Sequence, residues 1–318
     1  MTHISRLGAL GIGVEATAGT AVAATHWLQF TKGPTLTDKY EYENIKTARG
    51  RVEASQGQKL MKTYGEGNIE VILDDVTSVI PFGMILGSVA SATAAGNLYD
   101  HTITVNNSNT PKTATVIFDR VQDTRQFANA VIEKLDIKVS DGFAEMTMAL
   151  KSRESGTGSA SESYATVANF NFKDLSVKFG VDVAAATSAS PTPLSGLDLS
   201  IKRDVAMVYQ TGQNYPQNFS YNTLEVTGNY SLLFDGVTDR DKYLANTANA
   251  MILTFTNGNN SVKITLPKVL IKNWDASNDI DKEVSQTADF EAHYDSTALT
   301  SISAVIRNAT ESYTNLTA

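Results

Sequence analysis

Apolar and polar residues alternate with period two over most of the chain, the pattern of strands with one dry face and one wet face. From Leu224 to Phe234 the apolar positions are Leu224, Val226, Tyr230, Leu232 and Phe234, with Gly228 in register; Glu225, Thr227, Asn229 and Ser231 fall between them. Asn68–Leu73 does the same with Ile69, Val71 and Leu73 inward. Val131, Leu135, Ile137 and Val139 predict one face of a strand that ends at Ser140. Asp141-Gly142 then reads as a tight turn tolerant of positive φ, and Ala144, Met146, Met148 and Leu150 as the returning strand of a hairpin. Helical signals are few. Val76–Leu86 and Asp239–Ala248 each follow a strand ending in Asp, with Pro81 in the first turn of the former, and a short helix is also expected at Thr124–Asn129.

The two strand–helix units are related. Residues 67–77, from Gly67-Asn68 to Val76-Thr77, align without gaps to residues 228–238, with five of eleven positions identical. Each unit is followed by a pair of expected strands, Val131–Val139 with Phe143–Lys151 and Val262–Ile271 with Thr287–Tyr294; Asp275–Glu283 connects the second pair. This predicts a tandem duplication of one β-rich domain. Ser155–Ser163 is a flexible linker by composition, Ala184–Gly196 reads as a long loop, and Phe170–Phe179 between them as a strand free to join either domain. The expected organisation is an N-terminal arm over residues 1–30, domains over 31–155 and 166–318, and a linker over 156–165.

Length agrees with two domains, since 318 residues exceed the usual span of one core. A net charge of −8, with 34 acids outnumbering 26 scattered bases, argues against a protein that grips nucleic acid, which needs clustered Lys and Arg. With no cysteine, disulfides, thiolate metal sites and cysteine nucleophiles are excluded. No apolar run reaches the length of a membrane-spanning helix. The run Leu7–Val14 after Arg6, with Ala21-Val-Ala23, imitates a signal peptide, but Glu15 ends it after eight residues, three of them glycine.

Candidate chemistry reduces to structural roles. Gly11-x-Gly13-x-x-Ala16 fits the letters of a dinucleotide fingerprint without the strand before it or the helix after it. His3, His26, His101 and His293 are dispersed; His293 shares a polar face with Thr287, Asp289 and Glu291, which reads as a solvated strand face. Asp275-x-Ser-x-Asp279-x-Asp281-x-Glu283 lacks the glycine and closing glutamate of a calcium loop, having Ile280 and Gln286 there. Asp74 and Asp75 point to opposite faces of a strand, so a helix N-cap, with Asp235 at the matching place, accounts for Asp74 better than acid–base work. Asn218 and Asn308 open glycosylation sequons that matter only in a secreted chain. No catalytic residue, metal or cofactor is expected.

The segment Gly11-Ile-Gly-Val-Glu15-Ala-Thr-Ala-Gly19-Thr20-Ala21, running into His26-Trp27-Leu28, resembles the opening of tail tube proteins from long-tailed bacteriophages. That resemblance continues in the Gly-Asn strands Asn68–Asp74 and Asn229–Asp235, and in the late strand pair Lys268–Trp274 and Thr287–His293. It implies a structural, non-enzymatic virion protein of the siphovirus type: a mainly β fold with short helices and two tandem tail-tube-type domains. Their sheets join into a ring-shaped β-barrel, of three subunits if duplicated and six if not, and the rings stack into a tube for DNA delivery. Implied partners are further copies of itself, a tape-measure protein, a tail terminator and distal tail or baseplate proteins, with DNA passing unbound, no membrane anchoring, and assembly in the host cytoplasm. Expected lumen-facing residues are Glu70, Asp136, Glu145, Glu225, Asp289 and Glu291, an acidic lining that repels phosphate, although Lys134 and Lys138 share that face. Expected contacts between rings lie in residues 1–26 and a Gly33–Lys62 loop, with Glu15, Thr20 and Trp27 as the candidate residues; both segments are expected to order on assembly, so deleting residues 1–20 should leave soluble folded subunits that no longer polymerise. A secreted β-sandwich adhesin for glycans fits the same composition, and a hydrolase with carboxylates from different strands is a third reading.

Overall fold

The computed structural model describes residues 5–234, 236–277, 280 and 283–316. Among them eighteen strands form, beginning with β1 (Ala9–Val14), β2 (His26–Leu28), β3 (Phe30–Lys32), β4 (Thr37–Asn44), β5 (Gln58–Ile72), β6 (Gly87–Thr93), β7 (Tyr99–Val105), β8 (Ala114–Asp119) and β9 (Thr124–Val139). There follow β10 (Glu145–Ser152), β11 (Gly156–Thr157), β12 (Leu175–Gly180), β13 (Gly196–Val208), β14 (Asn218–Leu233), β15 (Asn249–Asn257), β16 (Asn260–Ala276), β17 (Ser285–Ala292) and β18 (Ser303–Asn308). The helices are short: α1 (Val79–Leu86), α2 (Val183–Ser188) and α3 (Thr238–Leu244). The protein is mainly β, as its alternating pattern predicts.

One antiparallel sheet runs through both halves in the order β4, β5, β10, β9, β13, β14, β17, β16. Outer layers cover its dry face. In the first half these are β2, β1, β8 and the N-terminal part of β9. In the second they are β12, β15, the N-terminal part of β16 and β18, and β7 and β6 of the first half extend this layer beyond β18. One large apolar core, from Leu10 and Ile12 to Ile306 and Leu316, fills the space between. All eight residues of α1 are buried in it, and the helix closes on Gly87, whose positive φ of 99° suits a residue without a side chain.

Each half repeats the same pairings. β5 pairs with β10 and β10 with β9, as β14 pairs with β17 and β17 with β16. β1 flanks β8 as β12 flanks β15. Even the irregularities match. Shifts lie between Ala149 and Leu150 and between Ile271 and Asn273, and again between Ala114 and Val116 and between Asn249 and Met251. A third pair lies between Glu41 and Tyr42 and between Arg203 and Val205. Such bulges bend a strand, and here they carry β9 and β16 from an outer layer into the main sheet. Gly67 and Gly228 occupy equivalent sites: a Cβ would come within 2.5 Å of Leu36 backbone at the first and 2.3 Å of the Asp198 carbonyl at the second.

Several expectations are corrected. Thr124–Asn129 is the start of β9 and not a helix, because β8 and β11 pair with it and ladder bonds outweigh weak local propensity. The β9–β10 connection spans residues 140–144, and neither Asp141 nor Gly142 has positive φ. Residues from the second half hold it, with Phe143 bridging Asn171 and the Ala144 N–H donating to the Phe170 carbonyl. The bulge in β9 removes Val131 from the face of Leu135 and Ile137, so it joins a small separate cluster with Val205, Phe219 and Tyr221. Ala184–Gly196 includes most of α2, capped by Asp182, and the expected strand Phe170–Phe179 starts only at Leu175 and pairs with β15. Gly33–Lys62 is not one loop: it holds β4 and the start of β5, paired as an exposed hairpin around the connection 45–57, while Leu36 is buried in the core. Residues 9–14 are no free arm: β1 is buried along its whole length between β2 and β8, so deleting residues 1–20 removes part of the core.

Asp74 does not cap α1. Its Oδ1 accepts from the N–H groups of Val76 and Thr77 at 2.8 and 2.5 Å, and its Oδ2 accepts from the Thr77 hydroxyl. It thereby holds the turn that precedes the N-cap, Ser78. Asp235 lies outside the described residues, as do Asp279 and Asp281 of the acidic connection.

Candidate functional site

The eight-stranded sheet presents one face to the core and the other to solvent, and period-two alternation decides which side chains go where. Cross-strand register gathers the polar ones into rows. One row reads Glu145, Lys138, Asp198, Asn229, Asp289 and Asn273 across β10, β9, β13, β14, β17 and β16. The next reads Glu70, Thr147, Asp136, Ser200, Thr227 and Glu291, and a third Asn68, Ala149, Lys134, Lys202 and Glu225. All six acids singled out in the sequence therefore share one face, although they come from five strands of both halves. That face curves around an open hollow of about 650 Å³.

The acids are not a bare negative surface. Lys32 Nζ lies 2.7 Å from Glu70, Lys134 lies 2.8 Å from Asp136, and Lys272 pairs with Glu291. Glu145 stands opposite Lys138 and Glu225 opposite Lys202, while Asp289 accepts a 3.2 Å bond from Asn273. Glu70 helps hold the Lys32 ammonium above its usual range by hydrogen bond and charge. Lys32, Asp198, Lys202 and Lys272 were missed in the sequence. The signal for Asp198 and Lys202 was their period-two spacing with Ser200; Lys32 and Lys272 lie beside a register shift or bulge, where periodicity misleads.

The N-terminal positions behave differently from one another. Glu15 is buried inside the subunit, 5% exposed. Its Oε1 accepts from the Thr115 hydroxyl at 2.8 Å and the Asn129 N–H at 2.9 Å, and its Oε2 from the Gly19 N–H and the Thr113 hydroxyl, both at 2.7 Å. The Gly-x-Glu…Gly-Thr signature thus folds residues 15–19 back onto β8 and β9. Gly13 belongs to the same packing, since a Cβ there would meet the Ala23 carbonyl at 2.3 Å. Trp27 is also buried, edge-on to Tyr164, whereas Thr20 is exposed.

The remaining candidates hold the fold together. His101 is wholly buried: Nδ1 meets the Ser91 hydroxyl at 2.8 Å, and Nε2 meets Asn308 Oδ1 at 3.0 Å. Burial keeps its pKa below the usual histidine value. The Asn308 amide donates to the Asp75 carbonyl and to the Tyr313 hydroxyl, so this sequon is closed to a glycan in the folded chain. His26 stacks on Tyr313. Asp75 turns away from Asp74 and accepts from the Ala168 N–H at 2.7 Å. Among the described residues, no three His, Asp or Glu side chains are grouped to hold a metal ion.

No curated protein matches the chain. The family model described as phage tail tube protein matches residues 5–292. That span takes in the main sheet, both long bent strands and the Glu15 fold-back. By its sequence over nearly its full length, and with a β fold of the expected kind, the chain belongs to the phage tail tube protein family and has a structural role in the tail.

Proposed function

We propose that three copies of this chain close into a ring and that the rings stack into the tube of a long, non-contractile tail. Each copy contributes two tandem tail-tube-type domains, residues 31–155 with β1 packed into the first, and residues 166–318. The observation that carries this reading is the eight-stranded sheet, polar on one face and bounded by two edges, β4 and the C-terminal half of β16. Open edges are a liability that ring closure removes. The polar face then lines the channel, with Glu70, Asp136, Glu145, Glu225, Asp289 and Glu291 toward the DNA. Because lysines pair with these acids, the lining is a weak, mixed field in which phosphates find neither a basic patch to grip nor a strong barrier.

Stacking falls to the β4–β5 hairpin, which carries exposed Tyr40, Tyr42, Ile45, Val52 and Met61. Apolar side chains displayed on a projecting hairpin mark an interaction surface. Thr20 remains available for the same contact, while Glu15 and Trp27 act by supporting the fold. The tube would form in the host cytoplasm around a tape-measure protein, between a tail terminator and distal tail or baseplate proteins, without a membrane anchor. Electron microscopy of the purified protein at rising concentration tests this: stacked hollow rings with three-fold end views are expected. Compact monomers, both alone and with a tail-tip nucleus added, would overturn it.

A further inference from the structure

Within the chain, the first repeat joins the second through β9 and β13, with Asp136 opposite Ser200, Leu135 opposite Ile201 and Lys134 opposite Lys202. The repeat places the same two surfaces at the ends of the sheet. Lys134, Leu135 and Asp136 face Ala149, Met148 and Thr147 of β10, as Asn273, Trp274 and Asp275 face Asp289, Ala288 and Thr287 of β17. Ser200, Ile201 and Lys202 face Thr227, Val226 and Glu225 of β14, as Thr37, Asp38 and Lys39 face Glu66, Gly65 and Tyr64 of β5. The bulges beside these stretches fall at matching positions, so the two ends have the bend as well as the pairing of the internal junction.

We infer that β16 of one copy pairs antiparallel with β4 of a second copy in the register that β9 takes with β13. Asp275 then stands opposite Thr37, Trp274 opposite Asp38, and Asn273 opposite Lys39. Among the described residues no strand pairs with the outer side of Asn273–Ala276 or of Thr37–Lys39. Charge agrees with the alignment, since Lys39 lies diagonally across from Asp275 on the polar face, within reach of a long side chain. Two cavities add an independent sign. A cavity of about 430 Å³ beside Gly196 and Leu197 is lined also by Val139 and Ser140 at the end of β9. A larger one, about 710 Å³, opens beside Gly33 and Pro34 at the β4 edge, and among the described residues none of β9 lines it.

This pairing rests on the ring reading, and the absence of cysteine allows the two to be tested apart. Residues directly opposite across antiparallel strands have Cα atoms about 4.5–5.5 Å apart, which a disulfide spans, whereas a two-residue stagger does not. The double variants Thr37→Cys/Asp275→Cys and Lys39→Cys/Asn273→Cys are oxidised after assembly and run on non-reducing denaturing gels. Covalent trimers are expected from both, and none from the staggered Lys39→Cys/Asp275→Cys. Asp136→Cys/Ser200→Cys should give the matching bridge inside one chain and calibrates the yield. Rings by microscopy with bridges only in the staggered variant, or in neither matched variant, would overturn the register and leave the ring reading standing. Absence of rings from the wild type and every variant would overturn both.

Discussion

Replacing Glu15 by alanine separates a contact between rings from a support inside the subunit. The carboxylate accepts four hydrogen bonds, two of them from the backbone N–H groups of Gly19 and Asn129. The hydroxyls of Thr113 and Thr115 can rotate to other acceptors, but the two N–H groups are fixed by the chain. A buried donor stranded without a partner costs roughly 1–3 kcal/mol, and bonds to a charged acceptor lie at the upper end. Glu15→Ala should therefore lose about 4 kcal/mol. With an unfolding entropy of about 2.1 cal/mol/K per residue, that lowers the Tm of a chain this size by roughly 6 °C. Thermal unfolding followed by circular dichroism measures the drop, and sedimentation at low temperature measures assembly. Folded Glu15→Ala subunits should still polymerise, because Glu15 is covered by its own subunit. An unchanged Tm with assembly abolished would refute the reasoning and return Glu15 to the ring interface.

Asp74 gives a pH signature. Burial pushes its carboxyl from the ordinary 3.8 up to about 6, so the folded state prefers the protonated form. Stability from this group is fully present below pH 3.8 and is lost as the pH rises through about 6, by at most on the order of 3 kcal/mol. Urea titrations of wild type against Asp74→Asn should diverge across that window, with the asparagine variant the more stable at pH 7; parallel curves would refute the assignment. Arg203 donates to the carbonyls of Ile85, Asn106 and Ser108 at 3.1, 3.1 and 2.7 Å, joining β13 to the end of α1 in the other half. Arg203→Met leaves the buried Ile85 carbonyl and the two part-buried ones without this donor and should cost about 2 kcal/mol in a urea titration; no loss would mean that the desolvated charge cancels its own bonds. Deleting residues 1–20 removes Leu10, Ile12 and Val14, each fully or nearly buried. At about 1.5–3 kcal/mol apiece, the truncated chain should fail to fold, seen as loss of the cooperative transition; a folded truncation would show that β8 does not need its neighbour.

Much of the sheet was legible because a strand with one wet face must alternate. Val226, Tyr230 and Leu232 went in while Glu225 and Thr227 went out, and the same rule found six acids on one face without any knowledge of their neighbours. Beyond Lys134 and Lys138, the positive charge on that face was not legible. Lys32 and Lys272 reach Glu70 and Glu291 from strands 38 and 19 residues away, beside irregularities in the pairing. Nor could the N-terminal signature reveal its full purpose, since three of the four donors to Glu15 come from Thr113, Thr115 and Asn129, far off in the chain.

By itself, the sequence determined the strand periodicity, the place of the α1 and α3 turns, the kinship of residues 67–77 and 228–238, and the lack of thiol chemistry. These depend on residues close together in the chain or on composition. Only the tertiary structure decided that β9 and β16 each serve two layers, that β1 is core, and that β9 meets β13. Bulges set those outcomes. One extra residue reverses which side of a strand faces inward, and its position is fixed by pairing between segments far apart in sequence, which local periodicity does not encode.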